Sequence, residues 1–142
     1  MKRMKSEKGA ALIEAAVTVP IILLISVGIF EFGRAYQTQQ VLVNAAREGA
    51  RLAVIDGSTD AEVRARVNAY LTGGGLTALG DGQISIDRMT AVTATATGST
   101  VEISYPFSFM VLNPVVKLIA PTDTKTGAPI TMKAATMMRN EG

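Results

Sequence analysis

"KGAALIEAAVTVPIILLISVGIFEFGR", residues 8–34, is the stretch whose reading decides the fold. Between Ala10 and Phe30 it carries one charged side chain, Glu14. At 1.5 Å per residue this run makes a helix about 31 Å long, enough to cross a hydrocarbon layer of roughly 30 Å. Just upstream, Lys2, Arg3, Lys5 and Lys8 stand against a single acid, Glu7. A basic cluster confined to the start of an apolar run holds that side in the cytoplasm and sends the far side outward. A carboxylate inside such a run is costly and requires hydration or a partner.

The helical pattern extends beyond Arg34. In "QTQQVLVNAAREGARLAVI", residues 37–55, the small and apolar side chains Leu42, Ala45, Ala46, Gly49 and Ala53 recur at three- and four-residue spacing. That is the stripe of an amphipathic helix. Asn44, Arg47, Glu48 and Arg51 occupy its other faces. Asp56-Gly57 supplies the stop. Unbroken from Ala10 to Ile55, the helix is expected to be close to 70 Å long. Pro20 lies inside it, where the missing N–H and the clash with the Ala16 carbonyl predict a kink. Membrane helices tolerate proline, so a mere bend competes with any functional role for it. Ala45, Gly49 and Ala53, four residues apart, allow close approach of another helix or a sheet. Arg47, Glu48 and Arg51 read either as a charge set for a partner subunit or as a solvated face of weak pairs.

The bulk numbers narrow the function. A chain of 142 residues is one ordinary domain plus an appended segment. With 48% apolar and 18% charged residues it is not disordered. A basic arm without aromatics or a recognition helix does not suit nucleic acid. Cysteine and histidine are both absent, which removes disulfides, thiol chemistry, the commonest nucleophile–base pairs and the best transition-metal ligands. Neither catalysis, a cofactor nor a metal site is expected.

The rest of the chain changes period. "STDAEVRARVNAYLTGGG", residues 58–75, opens with a capping box, Thr59 and Glu62, and sets Val63, Val67 and Leu71 on one stripe. The triple glycine 73–75 ends this short helix and lacks the lysine and threonine of a phosphate loop. "LGDGQ" is a turn. "QISIDRM" then alternates, with Ile84 and Ile86 on one face. "TAVTATATGSTVEISYPFSF" reads as a hairpin. Val92, Ala94 and Ala96 lie inward on its first arm, the turn falls near Gly98, and Val101, Ile103 and Tyr105 lie inward on the second. "PITMKAATMM" supplies another strand through Ile130, Met132 and Ala134. Pro106, Pro114 and Pro121 are expected at strand ends or in loops. Residues 110–120 read as a crossing loop, a patch on the long helix or a partner surface. The expected fold is α+β: a long amino-terminal helix, transmembrane then extramembrane, with a head of one helix and about four antiparallel strands. The expected division is 1–9 basic leader, 10–33 transmembrane helix, 34–56 its extramembrane continuation and 57–142 the head, packed on the outer half of the helix.

Three readings of Glu14 compete. It could sit hydrated near the interface of an uncleaved anchor, giving a single-pass tethered binding or sensory domain. The run could be a signal peptide, cut before Ile29 where Ser26 and Gly28 precede, although an acid and a proline suit that poorly. The third reading is a resemblance. "KGAALIE", Lys8 to Glu14, is similar to the prepilin cleavage site of type IV pilin-like proteins, in which a basic leader ends in glycine and glutamate is the fifth mature residue. The resemblance places the cut between Gly9 and Ala10, and it exposes a positive amino group at Ala10. Glu14 of one subunit then neutralises the neighbour's amino terminus and fixes the register between helices.

The likeness is closer to the TadE-like pseudopilins of the tight-adherence (Flp) pilus. It rests on Glu14, Ala16, Pro20, "IFEFGRAY", "NAAREGARLAV" from Asn44 to Val54, and the closing "AATMMRNE". Ala15 stands where the major Flp pilins carry tyrosine, and those pilins are shorter, which points to a minor pilin. The resemblance implies a prepilin peptidase, other pilins, the inner-membrane assembly platform and membrane lipid as partners. It implies a bacterial inner-membrane protein with a cytoplasmic amino terminus and a periplasmic head, one that can enter an extracellular fibre.

Overall fold

The computed structural model of the chain describes residues 3–93, 96–119 and 128–140. Its longest element is helix α1, Arg3–Ala53, which runs through Pro20 without interruption. After α1 the chain turns at Gly57, whose φ of 81° is open to glycine and strained for other residues. Helix α2, Asp60–Gly73, follows. A short 3₁₀ turn, Asp81–Gln83, leads into strand β1, Ile84–Thr93. Strand β2 is Ala96–Phe107, helix α3 is Leu112–Ile119 and strand β3 is Ile130–Arg139. The strands form one antiparallel sheet in the order β1-β2-β3. The architecture is thus α+β, a long apolar amino-terminal helix followed by a small three-stranded sheet.

The chain divides into two compact units, Met1–Arg34 with Phe109–Ala128, and Ala35–Ser108 with Pro129–Gly142. The second unit holds the core. Leu42, Ala45, Ala46, Ala50 and Ala53 of α1 are buried in it, together with Val63, Val67 and Leu71 of α2. The sheet contributes Ile84, Val101, Ile103, Tyr105, Phe107 and Ala134. Small side chains on α1 let the other layers come close. A Cβ added at Gly49 would lie 2.6 Å from Val67 Cγ2 and 3.3 Å from Val101 Cγ1, so both α2 and β2 approach the α1 backbone there. Gly74, just after α2, is equally tight against Val41, at 2.5 Å from its Cγ1.

Helix α2 starts as its sequence dictates. The Thr59 hydroxyl accepts from the Glu62 amide at 3.3 Å, and the Glu62 carboxylate accepts the Thr59 amide at 2.7 Å. The Thr59 amide, and the Thr59 hydroxyl at 2.9 Å, both donate to the Glu62 carboxylate and hold it below the usual range. Each amide so bonded is one that a helix start would leave orphaned.

The sheet departs from expectation in two places. There are three strands, because "QISIDRM" and the first arm of the hairpin form one strand, β1, with register irregularities between Asp87 and Thr90 and between Ala91 and Thr93. Bulges absorb the mismatch in a single strand instead of dividing it. The hairpin reverses between Thr93 and Ala96, which pair with each other, and not near Gly98. Gly98 sits within β2, opposite Thr90 on one side and Arg139 on the other. The inward placement of Val92, Ala94 and Ala96 lies outside the described side chains, and Pro121 lies outside the described residues. Outside the sheet, residues 112–119 form α3; of the readings of 110–120, a loop does not hold for these residues, whereas contact with the long helix is made by the Val111 amide on Glu31. Pro114 lies in the first turn of α3, where a missing N–H leaves no bond unmade. Pro106 falls inside β2, but β1 ends at Ile84 opposite Ile103, so β2 has only β3 beside it at that point. Proline is tolerated on such a local edge.

Candidate functional site

The first unit carries the apolar helix face. No residue in its most apolar window is buried within the chain, and Leu12 and Ile13 remain about 70% exposed, at 72% and 70%. Hydrophobic side chains left so open along a helix of this length match a lipid environment, not a soluble surface. The helix is long and apolar enough to serve as a single-pass membrane anchor. Gly9 and Ala10 lie within α1 rather than before it, and nothing crowds Gly9. Glu14 is exposed on this apolar helix, and among the described residues it has no hydrogen bond or ion pair.

Glu31, near the end of the apolar run, is the opposite case. It is 0% exposed. Its Oε1 accepts the Val111 amide at 2.5 Å and its Oε2 takes Arg34 Nη2 at 3.1 Å. The carboxylate therefore receives an amide just before α3, where a helix leaves donors unpaired and favours negative charge. A buried carboxylate is tolerable only with such partners. Glu31 lies within the expected 10–33 transmembrane helix and in the quoted "IFEFGRAY" but has no role of its own in that reading; an acid three residues before Arg34 at the end of an apolar run was the signal available.

In the second unit, Ala45, Gly49 and Ala53 point into the chain's own core. Their surface is thereby occupied by α2 and β2 at Gly49. Of the charge set, Arg47 is exposed. Glu48 is engaged by Arg51 at 2.6 Å and by Arg66 of α2 at 2.8 Å. Hydrogen bonds from Arg51 and Arg66, against the opposing effect of burial, hold the Glu48 carboxyl down to about 2. Glu48 thus ties α1 to α2.

The carboxyl end of α1 is fastened by Arg88 of β1, a residue with no role evident from sequence alone. Arg88 Nη1 donates to the Ala53 carbonyl at 2.8 Å and to Ser58 Oγ at 3.2 Å, while Nε reaches Asp60 Oδ1 at 2.8 Å. A cation at the last carbonyls of a helix satisfies orphan acceptors and complements the helix dipole. Asn140 closes the group, donating to the Arg88 carbonyl at 3.2 Å and accepting from buried Ser99 at 2.9 Å. Elsewhere Asn68 of α2 pins the following loop, accepting the Leu79 amide at 2.8 Å and donating to its carbonyl at 3.0 Å. Long-range side-chain bonds of this kind have no local sequence signature.

Among the described residues no three histidine, cysteine, aspartate or glutamate side chains stand together as metal ligands. Comparison with known proteins gives one positive finding: residues 9–51 match the model of the TadE-like protein family. The match begins at Gly9 and covers the apolar segment, Glu14, Glu31 and the "NAAREGAR" stretch. No curated protein and no solved structure gives a significant match.

Proposed function

We propose that this chain, TadE-like over residues 9–51, is a minor pilin needed to assemble a tight-adherence (Flp) type IV pilus. A prepilin peptidase cuts it between Gly9 and Ala10. Its work is association, not catalysis; the TadE-like match points to a structural family. The chain sits in the inner membrane with the leader in the cytoplasm and the head in the periplasm, and it packs against other pilins through the Ala10–Phe30 segment.

The observation that carries this reading is Glu14. It is a carboxylate on an exposed, lipid-length apolar helix, without a partner among the described residues. In hydrocarbon that arrangement is costly, so the neutralising group is expected from another molecule. The amino group freed at Ala10 of a neighbouring pilin has the required charge and depth. Glu31 supports the contrast, because its partners come from its own chain.

Two measurements test the reading in a strain with an active prepilin peptidase. The mature protein should begin at Ala10; a start at Ile29 or an intact leader overturns the assignment, and the intact leader supports a tethered domain instead. Glu14→Gln should insert in the membrane as the parent does and lose co-purification with its pilin partners. Unimpaired pilus assembly by that variant removes the proposed registration.

A further inference from the structure

The junction around Glu31 leaves a second apolar surface at the end of the membrane-length segment. Glu31 is one residue past Phe30, so it stands at the boundary of an apolar run about 31 Å long. Its bond to the Val111 amide holds the start of α3 at the same level. The polar groups of the junction turn toward one another: carboxylate, guanidinium and amide. The side chains around them turn out. Phe30 and Phe32 are 60% and 69% exposed, and Met110 is 66% exposed. The segment "MVLNPVVKLI", residues 110–119, has one charge, Lys117, which is also exposed.

We infer that residues 110–119 form a second membrane contact, an interfacial foot seated in the leaflet where α1 leaves the bilayer. The inference rests on the reading of α1 as membrane-spanning. Continuity decides the occupant. Phe30 closes the apolar run, and Met110 immediately precedes the amide bonded to Glu31, so lipid that reaches Phe30 also reaches Met110. Aromatic rings, a methionine and one lysine beside an apolar helix suit the headgroup boundary, where amphipathic elements lie in the membrane plane. Glu31 explains how a short helix stays there: its start is tied to α1 instead of depending on its own weak lipid affinity.

The chain contains no cysteine, so single labels can be placed cleanly. Full-length protein carrying Met110→Cys, Val19→Cys or Tyr70→Cys is labelled with an environment-sensitive nitrobenzoxadiazole dye. Each is reconstituted in phosphatidylcholine–phosphatidylglycerol vesicles and probed with spin-labelled lipids and aqueous iodide. The Met110 label should show blue-shifted emission and be quenched most by a spin label near the headgroup end of the acyl chain. Val19, within the apolar run, should respond most to a label near the chain's methyl end, and Tyr70, on α2, to iodide alone. Glu31→Ala should weaken lipid quenching at Met110 while leaving Val19 unchanged. Iodide quenching at Met110 like that at Tyr70, with Val19 still deep, overturns this inference alone. Shielding of Met110 from both lipid and iodide overturns it too, and assigns the surface to protein. Loss of lipid quenching at Val19 overturns the membrane-spanning reading itself.

Discussion

Gly49→Ala puts one methyl group where the structure has least room. The new Cβ would lie 2.6 Å from Val67 Cγ2 and 3.3 Å from Val101 Cγ1. Both valines are 0% exposed, and both are β-branched, so neither can swing its methyl groups aside cheaply. Two opposing effects set the sign. Alanine improves helix propensity over glycine by about 0.5–1 kcal/mol. Overpacking a filled core costs about 1–3 kcal/mol. The clash wins, by about 1–2 kcal/mol, because the obstructing atoms belong to rigid buried side chains on two different elements.

Hydrogen exchange of the β2 amides in full-length protein in micelles, followed by mass spectrometry, reads this difference. A loss of one or two kcal/mol raises the open population, and hence exchange at Val101–Tyr105, by a factor of about 5–30. Adding Val67→Ala removes the nearest methyls, so the double variant should be less damaged than the sum of the singles, with a coupling of about 0.5–3 kcal/mol. Exchange in Gly49→Ala equal to or slower than the parent would refute the reasoning. In that case helix propensity alone decides and the close approach of the three elements is not real.

The other predictions use different groups. Arg88→Ala should remove the cation bonded to Ala53 and Asp60, costing about 1.5–3 kcal/mol, and raise amide exchange in the last turn of α1; Arg88→Lys should recover only part of it, lacking the fork. Glu48 gives a pH dependence. Its folded carboxyl lies at about 2 against an ordinary value of 4.5, so its contribution is complete above 4.5 and disappears as pH falls toward 2. The melting gap between parent and Glu48→Gln, followed by tyrosine circular dichroism, should therefore shrink across that window; a constant gap contradicts the pairing. It should be small throughout, because Arg51 and Arg66 are more than half exposed. Gly74→Ala should disturb Val41, and loosened exchange at residues 71–76 is the expected sign.

Elements with a period or a cap of their own were legible in the sequence. The α2 start followed from Thr59 and Glu62, and its buried stripe from Val63, Val67 and Leu71. The inward set Val101, Ile103 and Tyr105 followed from alternation. What misled was chemistry that reads alike in two structures. Gly98 looked like a turn, yet here glycine sits in a paired central strand, and the reversal lies a few residues earlier among alternating threonine and alanine. The proline in "LNPVVKLI" argued for a loop, but a first helical turn tolerates it. Arg88, Asn140 and Asn68 gain their roles only through neighbours distant in sequence, and no local pattern announces such bonds. For the same reason the small stripe of α1 could be read only as a close-packing face. The expectation that the head packs on it agrees with the buried stripe, but which residues of α2 and β2 would cover it depended on the fold.

Glu14 and Glu31 share a residue type and a helix, and they stand about 26 Å apart along it. Composition treats them alike; their surroundings do not. At Glu31 the chain supplies an amide and a guanidinium, and the carboxylate is covered completely. At Glu14 the helix neighbours Ala10, Ala11, Val17 and Thr18 are exposed and bring no charge, and the acid makes no hydrogen bond or ion pair among the described residues. The partner donors at Glu31 belong to α1 itself and to the residue just before α3, so that site is finished when the monomer has folded. At Glu14 no such bond is made among the described residues. A carboxylate that folding leaves unmatched in an apolar band favours any assembly that delivers a cation at its depth. Under the proposed function, a neighbouring helix with a free amino terminus would supply that cation.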